Sequence, residues 1–292
     1  MASTQQLKRR IGSVKNTKQI TKAMELVAAS KMRRAQENAI KSRDFRNMAR
    51  SILSRLAELT DVSKHPLYAV RTVKTRLFIV VTSDRGLAGA YNSNILRLLT
   101  TELKKDLLAE VASQVIVIGR QGAKFITRFA GVTIVAAYHD FPEHPTANDI
   151  RPILGTILEK FKAKDVDAVD LLYTDYKSSI SQVVTSERLL PAAVAKEGAE
   201  KIDPELERAV FEPSVQAVLD NITERLIEVQ LSQAILESQA SEHSMRMMAM
   251  KSATDNASDI IDDLTLAFNT ARQSAITQEL AEITGGAEAI SS

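Results

Sequence analysis

The segment SDRGLAGAYNSN (83–94) has the look of a chain that could hold phosphate: two glycines and small neighbours, entered from a strand-like run, RLFIVVTSD (76–84). A phosphate loop needs G-x-G-x-x-G or G-x-x-x-x-G-K-[ST], so that backbone N–H groups close on the anion and, in the second case, a lysine meets it. Here the spacing is G-x-x-G and no lysine follows. The expectation is a structural turn, with Asp84 or Asn92 capping. HDFPEH (139–144) sets His139, Asp140, Glu143 and His144 within six residues, the donor types of a zinc site. Pro142 and Pro145 make it an exposed turn, and no second cluster completes a tetrahedron. His65 precedes Pro66 at an expected helix end, where a cation suits the dipole. His243 falls in a helical seam, where a polar residue sets register. No Ser/His/Asp set and no paired carboxylates stand out, so no active site, metal or cofactor is expected. The absence of Cys excludes disulfides, thiolate metal sites and thiol catalysis.

The elements around these residues fall into three parts. Neither Gly nor Pro occurs from Ser13 to His65 or from Ser214 to Thr284. At 1.5 Å per residue, unbroken helices there would be roughly 80 and 107 Å long. In the second gap, positions spaced alternately four and three apart from Val215 to Gln278 are apolar at fifteen of nineteen places, the pattern of a coiled coil. The same register at the N-terminus reads Leu7, Ile11, Val14, Lys18, Thr21, Glu25, Ala28, Met32, Ala35 and Ala39, a weaker seam with small residues and a polar break at 18–25.

Between the arms, RLFIVVTSD, QVIVIG (114–119), VTIVAAY (132–138) and VDAVDLLYTDY (166–176) are apolar, β-branched runs separated by helical stretches at 91–110, 120–129 and 147–163. This predicts a Rossmann-like α/β domain. ISQVVTSERLLP (180–191) alternates, as a half-exposed edge strand does. The predicted division is 1–70 for an N-terminal coiled-coil helix, 71–192 for the α/β domain, and 193–292 for a connecting segment and a long C-terminal coiled-coil helix.

Charge supports an antiparallel pairing of the arms. From Lys8 to Arg55 there are fourteen Lys/Arg against three acids, and from Glu197 to Ser292 eighteen acids against six basic residues, although the net charge is only +2. The C-terminal helix would outrun its partner by roughly 13 residues, or about 20 Å. The projecting end includes TLAFNTARQSAITQ (265–278), which carries only Arg272 as a charge and calls for a partner to bury it. No run is long enough to span a bilayer. Residues 1–24 are basic and acid-free, as in a mitochondrial transit peptide, but the helical pattern runs on beyond them, so cleavage is not expected.

RIGSVKNTKQITKAMELVAASKMRRAQ (10–36) resembles the N-terminal helix of the gamma subunits of F-type ATP synthases, VTSDRGLAGAYNSN (81–94) that family's central motif, and MKSATDNASDIIDDLTLAFNTARQSAITQELAEITGGAEAI (250–290) its C-terminal helix. The resemblance implies a bacterial-type central stalk without catalytic activity of its own. Its tip would lie inside a ring of three alpha and three beta subunits, and its foot, with epsilon, on the membrane c ring. Proton flow would turn stalk and ring together, at the cytoplasmic face of the inner membrane. It also implies partner contacts: Lys22 and Met24 at a neck facing an acidic loop of beta, a basic collar of Lys31, Arg33 and Arg34, Arg246 linked to the neck, Arg272, Gln273, Thr277 and Glu279 at the upper bearing, and Glu212 in the foot. KEGAEKIDPELERA (196–209) departs from the family pattern, which leaves the foot contacts undefined. Two other readings stand beside it: an α/β enzyme with a coiled-coil arm, and a nucleic-acid binder using its basic N-terminal helix.

Overall fold

The computed structural model describes residues 3–59, 65–129, 131–143, 145–192 and 214–291. The chain forms two compact units, one of Met1–Ala28 with Arg246–Ser292 and one of Ala29–Met245. Both long arms are single helices, α1 (Thr4–Leu59) and α5 (Val215–Ser291). They are longer than the Gly- and Pro-free stretches predict, because α1 runs through Gly12 and α5 through Gly285 and Gly286. A glycine inside a helix costs only about 1 kcal/mol relative to alanine, which a long packed helix absorbs.

In the second unit the strands β1 (Thr75–Val81), β2 (Ala112–Ile118), β3 (Thr133–Tyr138), β4 (Ala168–Tyr176) and β5 (Gln182–Leu190) form one sheet of order β3-β2-β1-β4-β5. The first four are parallel, and β5 pairs with β4 antiparallel, at the edge its alternation predicts. The period of two splits the buried runs between two faces. Leu77, Ile79, Val81, Ile116 and Ile118 pack with Ile153, Ile157 and Phe161 of α4 (Ala147–Lys162) and with Ile227, Leu231 and Ile235 of α5. Phe78, Val80, Val115 and Val117 pack on the other face with Ile95 and Leu99 of α2 (Tyr91–Leu108) and Ile126 of α3 (Arg120–Ile126). The chain moves outward from β1 to β3 through α2 and α3, then returns to β4 through α4. Right-handed crossovers in opposite directions require opposite faces, which is why α4 lies across from α2. The order therefore reverses between β1 and β4, the place where open α/β sheets usually take ligands.

A buried ionic group holds the start of the sheet. Arg76 on β1 donates from Nη1 to Asp170 on β4 at 2.9 Å and lies 3.3 Å from Asp106 of α2, while Arg188 on β5 also pairs with Asp170. Burial pushes the Asp106 carboxyl above its ordinary value, against the opposing pull of Arg76. Asp170→Ala would leave Arg76 with Asp106 alone and take from Arg188 its buried carboxylate partner. The variant is expected to lose about 3 kcal/mol, seen as a lower urea midpoint at unchanged slope.

Candidate partner interface

SDRGLAGAYNSN is a structural turn, built as expected. Asn92 accepts from the Ser83 amide at 3.0 Å and donates to the Ser83 hydroxyl at 2.7 Å, closing the loop on itself. Asp84 accepts from the Arg120 amide at 3.1 Å and so caps α3, not the helix that follows it in sequence. The crevice between the ends of β1 and β2 is narrowed by Ile235 and Gln239 of α5 to a cavity of about 50 Å³. Nucleotide and other small-molecule pockets run to roughly 300–1,000 Å³. A groove of about 380 Å³ lies elsewhere on the domain, but its lining, including Leu103, Leu107, Phe129 and Val132, is mainly apolar, with Lys104 and Glu110 its only charged side chains.

The 139–144 group does not converge either. Asp140 pairs with Arg120 and Glu143 with Lys31, and His144 lies outside the described residues. Among the described residues no three His, Cys, Asp or Glu could share a metal. His65 corrects the sequence expectation: it does not close α1, which ends at Leu59, but opens the short 3-10 turn Pro66–Tyr68. Its Nδ1 accepts from the Leu67 amide at 3.2 Å, and its Nε2 lies 2.9 Å from Asp220 of α5. His243 is half-buried on α5.

In the first unit the two helices meet along the predicted register. On α1, Leu7, Thr21 and Ala28 are buried, and Ile11, Val14 and Lys18 are half-buried between exposed neighbours. On α5, Met250, Thr254, Ala257, Ile261, Leu264, Phe268 and Ala271 do the same at spacings of four and three. Thr254 donates to the Thr21 hydroxyl at 2.8 Å in the middle of the seam, where the polar break was read. Burial on α5 stops at Ala271, and every residue from Arg272 to Thr284 is exposed. From Thr254, which faces Thr21, to Ala271 is about 26 Å of helix, matching the span from Thr21 back to the start of α1. The helices are therefore antiparallel. The start of TLAFNTARQSAITQ is paired, and only its second half belongs to the bare end.

That end holds four of the predicted contact residues, Arg272, Gln273, Thr277 and Glu279, all exposed. It also carries an outward stripe, Ile276, Leu280 (59% exposed) and Ile283 (69% exposed), at the i, i+4, i+7 spacing that lays into an apolar groove. On α1, Ile20 (61% exposed) and Val27 (55% exposed) lie off the seam, with the half-buried Met24 between them. The sequence reading named Met24 alone. The signal for its neighbours is the same spacing, masked in sequence by the seam running beside it. Lys22 contacts both oxygens of Glu25, at 3.0 and 3.1 Å.

In the second unit Lys31 pairs with Glu143, Arg33 with Glu37 at 3.4 Å, and Arg34 is exposed. For Lys22, Lys31 and Arg33 the acidic partner is thus in α1 itself or in the loop after β3, where the charge split predicted α5. Ion pairs this exposed are worth about 0–1 kcal/mol and break readily for a new partner. Arg246 is half-buried on α5, and Glu212 lies outside the described residues. Among the described residues no helix is long and apolar enough to cross a membrane.

Comparison with known proteins agrees with this geometry. The sequence profile of the ATP synthase family matches residues 3–290. The ATP synthase gamma chains of Pelotomaculum thermopropionicum and Acidithiobacillus ferrooxidans are 42% and 41% identical, each over 99% of this chain and 100% of their own. Among solved structures, a chain of the Tetrahymena thermophila mitochondrial ATP synthase central stalk and c ring matches with a TM-score of 0.61 at 27% identity, covering 80% of this chain and 99% of its own. A chain of the Euglena gracilis mitochondrial ATP synthase matches in fold with a TM-score of 0.68 at 17% identity, over 98% of this chain and 94% of its own.

Proposed function

We propose the role of this chain from one premise: it belongs to the ATP synthase gamma-chain family. It is the central stalk of a rotary ATP synthase, joined to the alpha and beta subunits, epsilon and the c ring. It couples proton flow to ATP synthesis and hydrolysis. The observation that carries this reading is the end of the seam at Ala271, beyond which a single helix with an apolar stripe continues without a partner among the described residues.

The physical reason lies in symmetry. Three equivalent sites in a ring can differ only if the object inside them is asymmetric, and a two-helix coil that becomes one helix is asymmetric at every angle. Moving one beta site from 1:99 to 99:1 between closed and open requires about 5.5 kcal/mol of differential contact. One surface ion pair supplies about 0–1 kcal/mol. Burial of Ile20, Met24 and Val27, together with Lys22 and the collar of Lys31, Arg33 and Arg34, supplies the remainder in this reading. Arg272, Gln273, Thr277 and Glu279 sit in the upper bearing, Arg246 acts with the neck, and Glu212 belongs to the foot.

The chain carries no catalysis of its own. Supporting this, the crevice at the ends of β1 and β2 is narrowed by α5 to about 50 Å³ and the glycine turn is closed by Asn92. The complex acts at the cytoplasmic face of a bacterial inner membrane. Purified chain is expected to show no ATP turnover alone and to restore ATPase activity when mixed with matching alpha and beta subunits. Turnover by the chain alone would favour the enzyme reading, and DNA binding with a steep salt slope the nucleic-acid reading.

A further inference from the structure

We infer that Ser238, Ser241 and Ser244 of α5 form the joint through which turning force passes between that helix and the α/β sheet, an inference that rests on the rotor reading above. All three are completely buried. Ser238 Oγ accepts from the Thr174 amide at 3.1 Å, and Ser241 Oγ donates to the Thr174 carbonyl at 3.2 Å. Ser244 Oγ donates to the Ser179 carbonyl at 2.8 Å and accepts from Gln182 Nε2 at 3.2 Å.

The sheet has a vacancy at this point. Pairing of β4 with β1 stops at Leu172, opposite Val80, while β5 continues to pair with Thr174 through Val184. The Thr174 amide and carbonyl on the β1 side therefore have no strand to meet, and two serines of α5 take the place of that strand. An unsatisfied buried amide or carbonyl would cost about 1–3 kcal/mol, so the helix is held in one position by groups that the sheet must satisfy.

Apolar contact alone would not achieve this. The contacts of Ile227, Leu231 and Ile235 with the sheet are non-directional, so a helix resting on them can roll or slide at little cost. Hydrogen bonds to fixed backbone groups resist both motions. The helix lies across the strand ends where an α/β sheet of this order usually admits a ligand. The place where other sheets of this kind take a small molecule serves here as the socket for a shaft.

The test uses the full chain assembled with alpha and beta subunits, with the ring fixed to a surface. Because the chain has no cysteine, Leu108→Cys on exposed α2 gives a single attachment in it for a bead. In the triple variant Ser238→Ala, Ser241→Ala, Ser244→Ala, the angular variance of the bead within each dwell is expected to rise about twofold or more, with ATP turnover within about twofold of the parent. The exposed control Ser252→Ala leaves the variance unchanged. A triple variant with parental variance overturns the joint. If the triple variant does not assemble, Ser241→Ala is read in the same way: a smaller rise supports the joint and no rise overturns it. A bead that does not turn on the parent complex counts instead against the rotor reading.

Discussion

Gly119→Ala is expected to destabilise the chain by about 3 kcal/mol or more and to prevent its accumulation in folded form. Gly119 joins β2 to α3 at φ +99°, a conformation that side chains rarely adopt. An added Cβ would lie 2.2 Å from the Thr82 carbonyl oxygen and 2.6 Å from its carbon, and these are backbone atoms that cannot swing aside. Thr82 is itself held there, donating from Oγ1 to Ile118 at 2.9 Å and accepting from the Gly122 amide at 3.0 Å. The clash would part the β1 and β2 loops, and with them the strand ends on which α5 rests. Thermal unfolding followed by circular dichroism checks this, and a melting temperature within a degree or two of the parent would contradict it. Gly131→Ala is a control for φ alone, since at φ +84° its Cβ would meet nothing within 4 Å.

Met24→Lys is expected to uncouple the motor while leaving it assembled. Met24 is half-buried between the exposed Ile20 and Val27 of α1 and directly precedes Glu25 of the Lys22–Glu25 pair. A lysine there adds a cation to a surface proposed to meet an acidic loop of beta, and so strengthens one rotational position relative to the others. An added contact of about 1 kcal/mol shifts a balance between states about fivefold. Proton pumping in inverted vesicles should fall by about that factor, with ATP hydrolysis within about twofold of the parent. Equal loss of both activities would show that the change acts on assembly or catalysis.

Much of the fold was legible because its signals are local. The β-branched runs at 76–84 and 114–119 match β1 and β2 closely, and the alternation of 182–190 placed β5 at an edge. In the first unit the heptad register was readable from Leu7 to Ala28 and from Met250 to Ala271, since burial on a helix follows a fixed angle per residue, whereas Ala275 and Gln278 of the same register are exposed. Helix ends were less legible. Gly12, Gly285 and Gly286 look like stops, but packing over a long helix outweighs their cost. The antiparallel pairing of the two long helices was legible, but individual polar pairings far apart in sequence were not. Nothing in the residues around Lys31 points to Glu143, and nothing marks Ser238 and Ser241 as partners of Thr174, because neither pattern nor propensity encodes which strand end lacks a neighbour. The four predicted contacts on the bare end are all exposed, whereas Lys22 and Met24 lie on α1.

The most direct measurement is amide hydrogen exchange across Arg272–Thr284, comparing the free chain with the chain assembled with alpha and beta subunits. In the free chain these amides should exchange quickly, as in any single helix without tertiary cover, and in the assembly they should slow by more than about tenfold. Equal exchange in both states would mean that no foreign protein encloses this end, and the shaft account would fail.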